Sequence, residues 1–239
     1  MRFPFLVPAL LSLPLLAAAQ GSDPSLNQID GAYNNRYTVG QNSSSASLMG
    51  VQGHAFLLPA WTPGHLQLNG GGKPFDTPLK YDIFHLELLA KRPAGDSVVV
   101  PLMRVKEFSL ATQRFACYPP PTLPAEVGGG CGEVLYEGPA AQLLKFERKE
   151  IVKRPAPQST TSYAASTATV AVLEIRTRYY LRWTSAAQFV ALKPRRASLE
   201  QALAGHPAAL AALKARKGSI GNEAELVAAL SAVGPELDK

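Results

Sequence analysis

The sequence predicts an α+β protein that is mainly β: an antiparallel meander in a rolled or barrel-like sheet, followed by a small C-terminal three-helix segment. Up to Pro194, segments of alternating polar and apolar residues recur about every eight to twelve residues, between Gly- and Pro-containing turns. Beyond Pro194, apolar residues recur with the period of about 3.6 that is typical of helices. This change of period marks the boundary between the two parts.

The clearest pair of strands surrounds a turn at Gly138-Pro139. Val134 and Tyr136 share one face of the first strand, and Leu144 and Phe146 share one face of the second. A period of two residues, bounded by Gly and Pro, predicts a half-buried antiparallel hairpin.

The meander begins upstream, with an apolar segment at Val51–Leu58 and a turn at Trp61–Gly64. A short strand, His65–Leu68, is predicted to end at the turn Asn69–Gly72, because Asn-Gly is a strong hairpin signal. The chain then resumes as a strand at Pro78–Phe84. Further strand segments are expected at Leu86–Leu88, Val98–Val100 and Met103–Leu110.

A second hairpin is predicted from a long strand, Thr169–Trp183, that returns through Phe189–Leu192. Tyr179 and Tyr180 are adjacent on the long strand and therefore point to opposite faces of the sheet. One of these rings could present a ligand or partner surface together with Trp183. The alternative is a strand that is packed on both faces beneath the helices.

The C-terminal helices are located by their end signals. Ser198 with Gln201 fits a capping box at the start of the first helix. Pro207 fits the first turn of the second helix, and Asn222 with Glu225 fits a capping box on the third. Since the helices have narrow apolar stripes and the second hairpin is apolar on both faces, we expect each to cover the other.

The chain is predicted to contain four regions: a signal peptide (1–19), a disordered polar leader (20–48), an antiparallel β domain (49–194) and the docked helical segment (195–239). The first region has a basic residue, Arg2, then a mostly apolar stretch and an A-x-A site before Gln20. A membrane anchor is the alternative, but it needs about 20 apolar residues. The signal predicts an exported protein, periplasmic or extracellular, with no transmembrane segment after cleavage.

The two cysteines, Cys117 and Cys131, flank a loop rich in Pro and Gly. In an exported chain such a pair predicts one disulfide, and two free thiols are the alternative. Metal binding by the pair alone is disfavoured, because structural zinc takes four ligands.

The chain is basic, with a formal net charge of +6 and an isoelectric point near 9.4. This charge predicts weak attraction to an acidic surface or polymer. The clusters Lys91-Arg92, Lys153-Arg154 and Arg195-Arg196 are short and dispersed, so we interpret them as solvated faces. No nucleic-acid partner is predicted.

Few residues form a pattern that indicates chemistry. His85 and Glu87 lie two apart in a predicted strand and would point the same way, and His54 and His65 are the other candidate metal ligands. The spacing of these residues matches no metal motif, and Ser47, Ser109 and Ser166 have no partner pattern. We therefore predict no catalytic, cofactor or metal residues.

The order of several short motifs resembles that of a known family. These motifs are a Trp-x-Pro-Gly segment, Pro78-Leu79-Lys80-Tyr81-Asp82, Val105-Lys106-Glu107-Phe108, Val134-Leu135-Tyr136-Glu137-Gly138 with Leu143-Leu144-Lys145, and Tyr179-Tyr180. From Val51 to Val233 the chain is similar to uncharacterised secreted proteins of the Bacteroidetes type. It departs from them in the Cys117–Cys131 loop and the Ala-rich helical tail. The resemblance implies export and this architecture, and no activity.

The predicted function is that of an exported, non-enzymatic, β-rich binding or structural protein of the cell envelope, whose partner or polymer and oligomeric state are unknown. The alternative is an envelope-polymer hydrolase or a metal-dependent enzyme. A cluster of His54, His65, His85 and Glu87 within ligand distance would favour the alternative.

Overall fold

The structure, a computed structural model, describes residues 48, 50–119, 122–156, 169–186 and 188–237. The predicted signal peptide and, apart from residue 48, the predicted leader lie outside these residues. The strands are Val51–Gln52 (β1), Thr62–Leu68 (β2), Phe75–Asp82 (β3), Glu87–Lys91 (β4), Ser97–Val100 (β5), Val105–Leu110 (β6), Gln113–Cys117 (β7), Cys131–Glu137 (β8), Ala141–Pro155 (β9), Thr169–Trp183 (β10) and Gln188–Leu192 (β11). The helices are Arg196–Ala202 (α1), Pro207–Ala215 (α2) and Glu223–Val233 (α3), and short 3-10 turns lie at Leu102–Arg104, Ala125–Val127 and Gly234–Glu236.

One eleven-stranded sheet contains all the strands, in the order β1-β10-β9-β8-β7-β6-β2-β3-β4-β5, with β11 also on β10. It consists of two meanders, β2 to β5 and β6 to β11, which are joined because β6 pairs with β2. The sheet curls without closing, and the amide of Lys149 in β9 donates to the carbonyl of Ile83 after β3 at 3.0 Å. These features confirm the predicted fold class. They add one parallel pair, β1 with β10, to the antiparallel pattern.

The interior has two main parts. The first lies inside the curl of β2 to β8, where the alternate residues Leu79, Tyr81 and Ile83 are all buried. The second lies between the helices and one face of β9 to β11. Its buried members include Leu143, Leu181, Leu192, Leu199, Leu203, Leu213, Leu226, Leu230 and Val233. The expectation that the helices cover the second hairpin is therefore confirmed.

The opposite face of the second hairpin has a different cover. On that face Tyr180 of the hairpin, with Leu144 and Phe146 of the adjacent strand β9, packs against Leu123 and Val127 from the loop between the two cysteines. The hairpin is thus buried between α1–α3 on one side and this loop on the other. Apolar residues on both faces of β10 are explained by two separate covers.

Three local predictions were wrong. Trp61–Gly64 is not a turn, because Thr62 begins β2 and Pro63 pairs with Pro78, a position where neither residue has an N–H to donate. The strand β3 does not continue through Leu86. Instead the Asp82 carboxylate accepts from the amides of Phe84 and His85, at 2.9 and 2.7 Å, and closes a turn.

The first helix is the third wrong prediction, since it begins at Arg196 and not at Ser198. The Ser198 hydroxyl accepts from the amide of Lys193 at 3.0 Å and fixes the link that precedes the helix. The other signals were read correctly: Pro207 opens α2, and the Asn222 side chain accepts from the amide of Glu225 at 2.9 Å.

Candidate functional site

An open groove lies on the solvent-facing side of β2, β3 and β6. Its volume is about 410 Å³. The residues that line it include Pro63, His65, Asp76, Pro78, Ser109 and Ala111. It combines a few polar side chains with the small apolar surfaces of two prolines and an alanine.

Three polar side chains of the groove form one row across adjacent strands. His65 in β2 is the direct cross-strand partner of Asp76 in β3, and its Nδ1 lies 2.8 Å from Asp76 Oδ1. On the other side, the backbone amide of His65 donates to Ser109 Oγ of β6 at 3.1 Å. Strand register therefore places a serine, a histidine and an aspartate side by side.

A glycine makes this row possible. A Cβ atom on Gly64 would lie 2.4 Å from the carbonyl oxygen of Ser109, closer than any side chain tolerates. The missing side chain lets β6 approach β2 at this point. The spacing of His65 and Ser109 thus depends on Gly64.

The electrostatics of the row are those of an exposed surface. The side chains of His65 and Asp76 are 54% and 89% exposed. When the His65 ring is neutral, the Asp76 carboxylate beside Nδ1 selects the tautomer with its proton on that nitrogen, and Nε2 is then a hydrogen-bond acceptor. Because Ser109 Oγ accepts from a backbone amide, its own proton remains for another acceptor. The row can therefore accept and donate hydrogen bonds to a ligand in the groove.

Sequence reasoning missed two members of this row. The predicted strand began at Pro78, so Asp76 fell outside it, although alternation at Phe75, Thr77 and Leu79 would have extended the strand. Ser109 has no sequence signal, because its position beside His65 comes from the pairing of β2 with β6.

The four residues considered as metal ligands do not share a site. Lys149 Nζ donates to the carbonyl oxygen of His54 at 2.6 Å, whereas His65 pairs with Asp76. His85 lies in the turn after β3, and Glu87 begins β4. In the described part of the chain, no three His, Cys, Asp or Glu residues are placed to hold a metal ion.

Tyr179 joins the sheet to the helices. Its hydroxyl donates to the Glu223 carboxylate at the start of α3 at 2.9 Å, and burial, together with that contact, raises its pKa to about 12. Lys145 lies 3.4 Å from Glu223 and 2.7 Å from Glu133. Burial opposes the charge of Lys145, but the surrounding carboxylates raise its pKa. Tyr179 thus takes part in a polar contact between the sheet and α3.

Tyr180 and Trp183 are internal. Tyr180 is 2% exposed and its ring contacts Phe146 edge-on, at a centroid separation of 5.8 Å. Trp183 is 8% exposed and stacks on His206 at 4.0 Å. The structure therefore places these rings in a strand that is packed on both faces, and not on an exposed aromatic surface, because the helices and the cysteine loop cover them.

Cys117 and Cys131 form a disulfide across β7 and β8, where they are direct partners with Cα atoms 4.1 Å apart. The bond closes the loop that carries Leu123 and Val127. No helix of the described residues has the length and apolar character needed to cross a membrane. The chain matches no protein-family model, and no curated protein or solved structure is significantly similar to it.

Proposed function

We propose that this chain is an exported, non-enzymatic, β-rich binding protein of the cell envelope, and that the groove around His65 holds its ligand. The observation that carries the proposal is the row Ser109–His65–Asp76, which strand register places in the lining of an open groove of about 410 Å³. Open grooves on rigid sheets suit extended ligands, because both ends of the ligand can leave the site.

The chemistry of the groove indicates the kind of ligand. His65, Asp76 and Ser109 offer acceptors and a donor, which suit hydroxyl and amide groups, while Pro63 and Pro78 offer flat apolar contact. A hydroxyl- and amide-rich envelope polymer has both features. Export is supported by the predicted signal peptide, and the Cys117–Cys131 disulfide is compatible with an oxidising compartment.

Titration with soluble fragments of envelope polymer tests this proposal, with binding followed by calorimetry. We expect His65→Ala and Asp76→Ala each to weaken binding severalfold, since each removes a hydrogen-bonding group from the row. Gln201→Ala, on the exposed surface of α1, should leave binding unchanged. Equal affinity in all variants would show that the groove is not the site.

A hydrolase is the second candidate, because serine, histidine and aspartate side chains stand in one row. In a working triad the serine hydroxyl bonds the histidine ring, whereas Ser109 Oγ here bonds the backbone amide of His65. Ester turnover, or labelling by a fluorophosphonate, that disappears in Ser109→Ala would favour the hydrolase. Our proposal expects neither activity.

A further inference from the structure

The excess of positive over negative charge is concentrated in one stretch of the chain. Residues 193–218 contain six Lys or Arg side chains and one acidic side chain, Glu200, and so carry +5. The whole chain carries +6, which leaves +1 for the other 213 residues. Almost all of the excess charge therefore lies on the link after β11 and on α1 and α2.

The fold brings the two ends of this stretch together. The guanidinium of Arg196 donates to three carbonyls at the end of α2. These belong to Leu213, Arg216 and Gly218, at 2.8, 3.0 and 2.7 Å. The cations around the start of α1 and those around the end of α2 therefore meet at one hydrogen-bonded junction. In the sequence alone, Arg195-Arg196 looked short and isolated.

Four cations around this junction are exposed: Lys193, Arg195, Lys214 and Lys217. Within the described residues, the ion pair of the stretch is the one between Arg196 and Glu200, at 4.0 Å. The four exposed side chains thus form a basic surface that can receive an external anion. We call it the junction surface.

The junction surface lacks the groups that other anionic partners require. Surface-bound helices insert large apolar side chains into a bilayer, but the large apolar residues that are exposed among the described residues, Met103, Ile151 and Ile175, lie outside the stretch. Single-stranded nucleic acids stack on aromatic rings, and residues 193–218 contain no Phe, Trp or Tyr. A surface that offers positive charge, but no apolar side chains for insertion and no rings for stacking, favours a flexible polyanion as its ligand.

We propose that the junction surface binds a flexible polymer with repeated phosphate groups. Lys and Arg both bind phosphate, and Arg does so with two parallel hydrogen bonds. A polymer with closely spaced charges can engage several cations at once, so weak contacts add. This interaction is separate from the groove around His65 and does not depend on what binds there.

Inorganic polyphosphate is the probe, with affinity measured by calorimetry at several salt concentrations. The test variant is Lys193→Gln, Arg195→Gln, Lys214→Gln and Lys217→Gln. The control variant removes the same charge from other exposed positions: Lys73→Gln, Lys91→Gln, Arg104→Gln and Lys106→Gln. We expect the test variant to lose at least about a hundredfold in affinity, since each cation near an anionic surface contributes about fivefold. The control should retain most of the binding.

Several outcomes would overturn the proposal. Equal losses of affinity in the two variants would show that the net charge of the protein attracts the polymer and that the junction surface does not bind it specifically. Tighter binding to polygalacturonate would replace phosphate by carboxylate as the recognised group. Tighter binding to phosphatidylglycerol vesicles or to a DNA fragment would assign the surface to a membrane or a nucleic acid. Circular dichroism confirms that each variant is folded.

Discussion

The phenol of Tyr81 in β3 and the backbone amide of Cys131 in β8 are joined by a hydrogen bond of 3.0 Å across the interior of the curled sheet. The Tyr81 ring also contacts Phe108 and Phe115 edge-on, at 5.3 and 5.9 Å. Burial raises the pKa of Tyr81 to about 12. This bond connects two strands that are far apart in the sheet order and so helps to fix the curl.

Tyr81→Phe should destabilise the protein by about 1–3 kcal/mol, because it leaves the buried amide of Cys131 without this partner. Urea unfolding at neutral pH measures the loss. Tyr118→Phe is the control, since the Tyr118 hydroxyl donates to a side chain, Gln142, at 2.9 Å and leaves no backbone group unpaired. Equal effects of the two substitutions would contradict a special role for Tyr81.

The disulfide should contribute about 3 kcal/mol, because it closes a chain segment with a sequence separation of 14. The double variant Cys117→Ala, Cys131→Ala should lose that stability, and hydrogen exchange should become faster around Leu123 and Val127. Reduction of the wild-type protein should reproduce the loss. Thiol labelling of unreduced, denatured protein should find no free thiol. Two labelled cysteines would contradict the disulfide.

Leu226→Asp should destabilise the protein by about 3–5 kcal/mol, because it buries an unpaired charge between α3 and the sheet. The control is Ala228→Asp, at an exposed position of the same helix. A Trp61→Phe background isolates the fluorescence of Trp183, which lies in the contact. If deletion of residues 198–239 left the midpoint and slope of urea unfolding unchanged, the helices would be an independent appendage.

Glu147 should make stability depend on pH. Burial raises the pKa of this half-buried carboxyl, and Glu133 and Glu223 raise it further, although Lys145 acts in the opposite direction. A carboxyl with a raised folded pKa favours folding when it is protonated. Its contribution is therefore present below its unfolded pKa, near 4.5, and is lost as the pH rises through the folded value.

Glu147→Gln should remove this dependence and raise stability at pH 7. The measurement is the difference in unfolding free energy between wild type and variant from pH 4 to pH 8, which should grow with pH. Glu150→Gln, at an exposed position of β9 that faces Arg176, is the control. A difference that stays constant over this range would show that Glu147 is not the responsible group.

Local signals in the sequence predicted much of the fold. The strand β10 was predicted at Thr169–Trp183, its observed bounds, because a long period-two pattern is bounded by turns. The third helix was recognised because Asn222 is a good cap and Leu226, Leu230 and Val233 repeat along one face. These features depend on residues that are neighbours in the chain.

The candidate site was not predictable in the same way. His65 and Ser109 are 44 residues apart, and no local pattern shows that β2 pairs with β6. The basic junction depends likewise on Arg196 reaching the end of α2. The turn at His85 was missed because one side chain, Asp82, stops an otherwise continuous strand pattern. Long-range register and single polar contacts decided these points.

The parallel pairing of β1 with β10 has a consequence for the order of folding. Val51 and Ala171 are partners although about 120 residues separate them, and closing so long a loop costs more entropy than forming a hairpin. The hairpins of the two meanders can form early from nearby segments, but β1 must wait until β10 exists. We therefore expect the contact of Val51 with β10 to be among the last to form. In a chain that emerges with its amino end first, β1 must stay unpaired until β10 has also emerged.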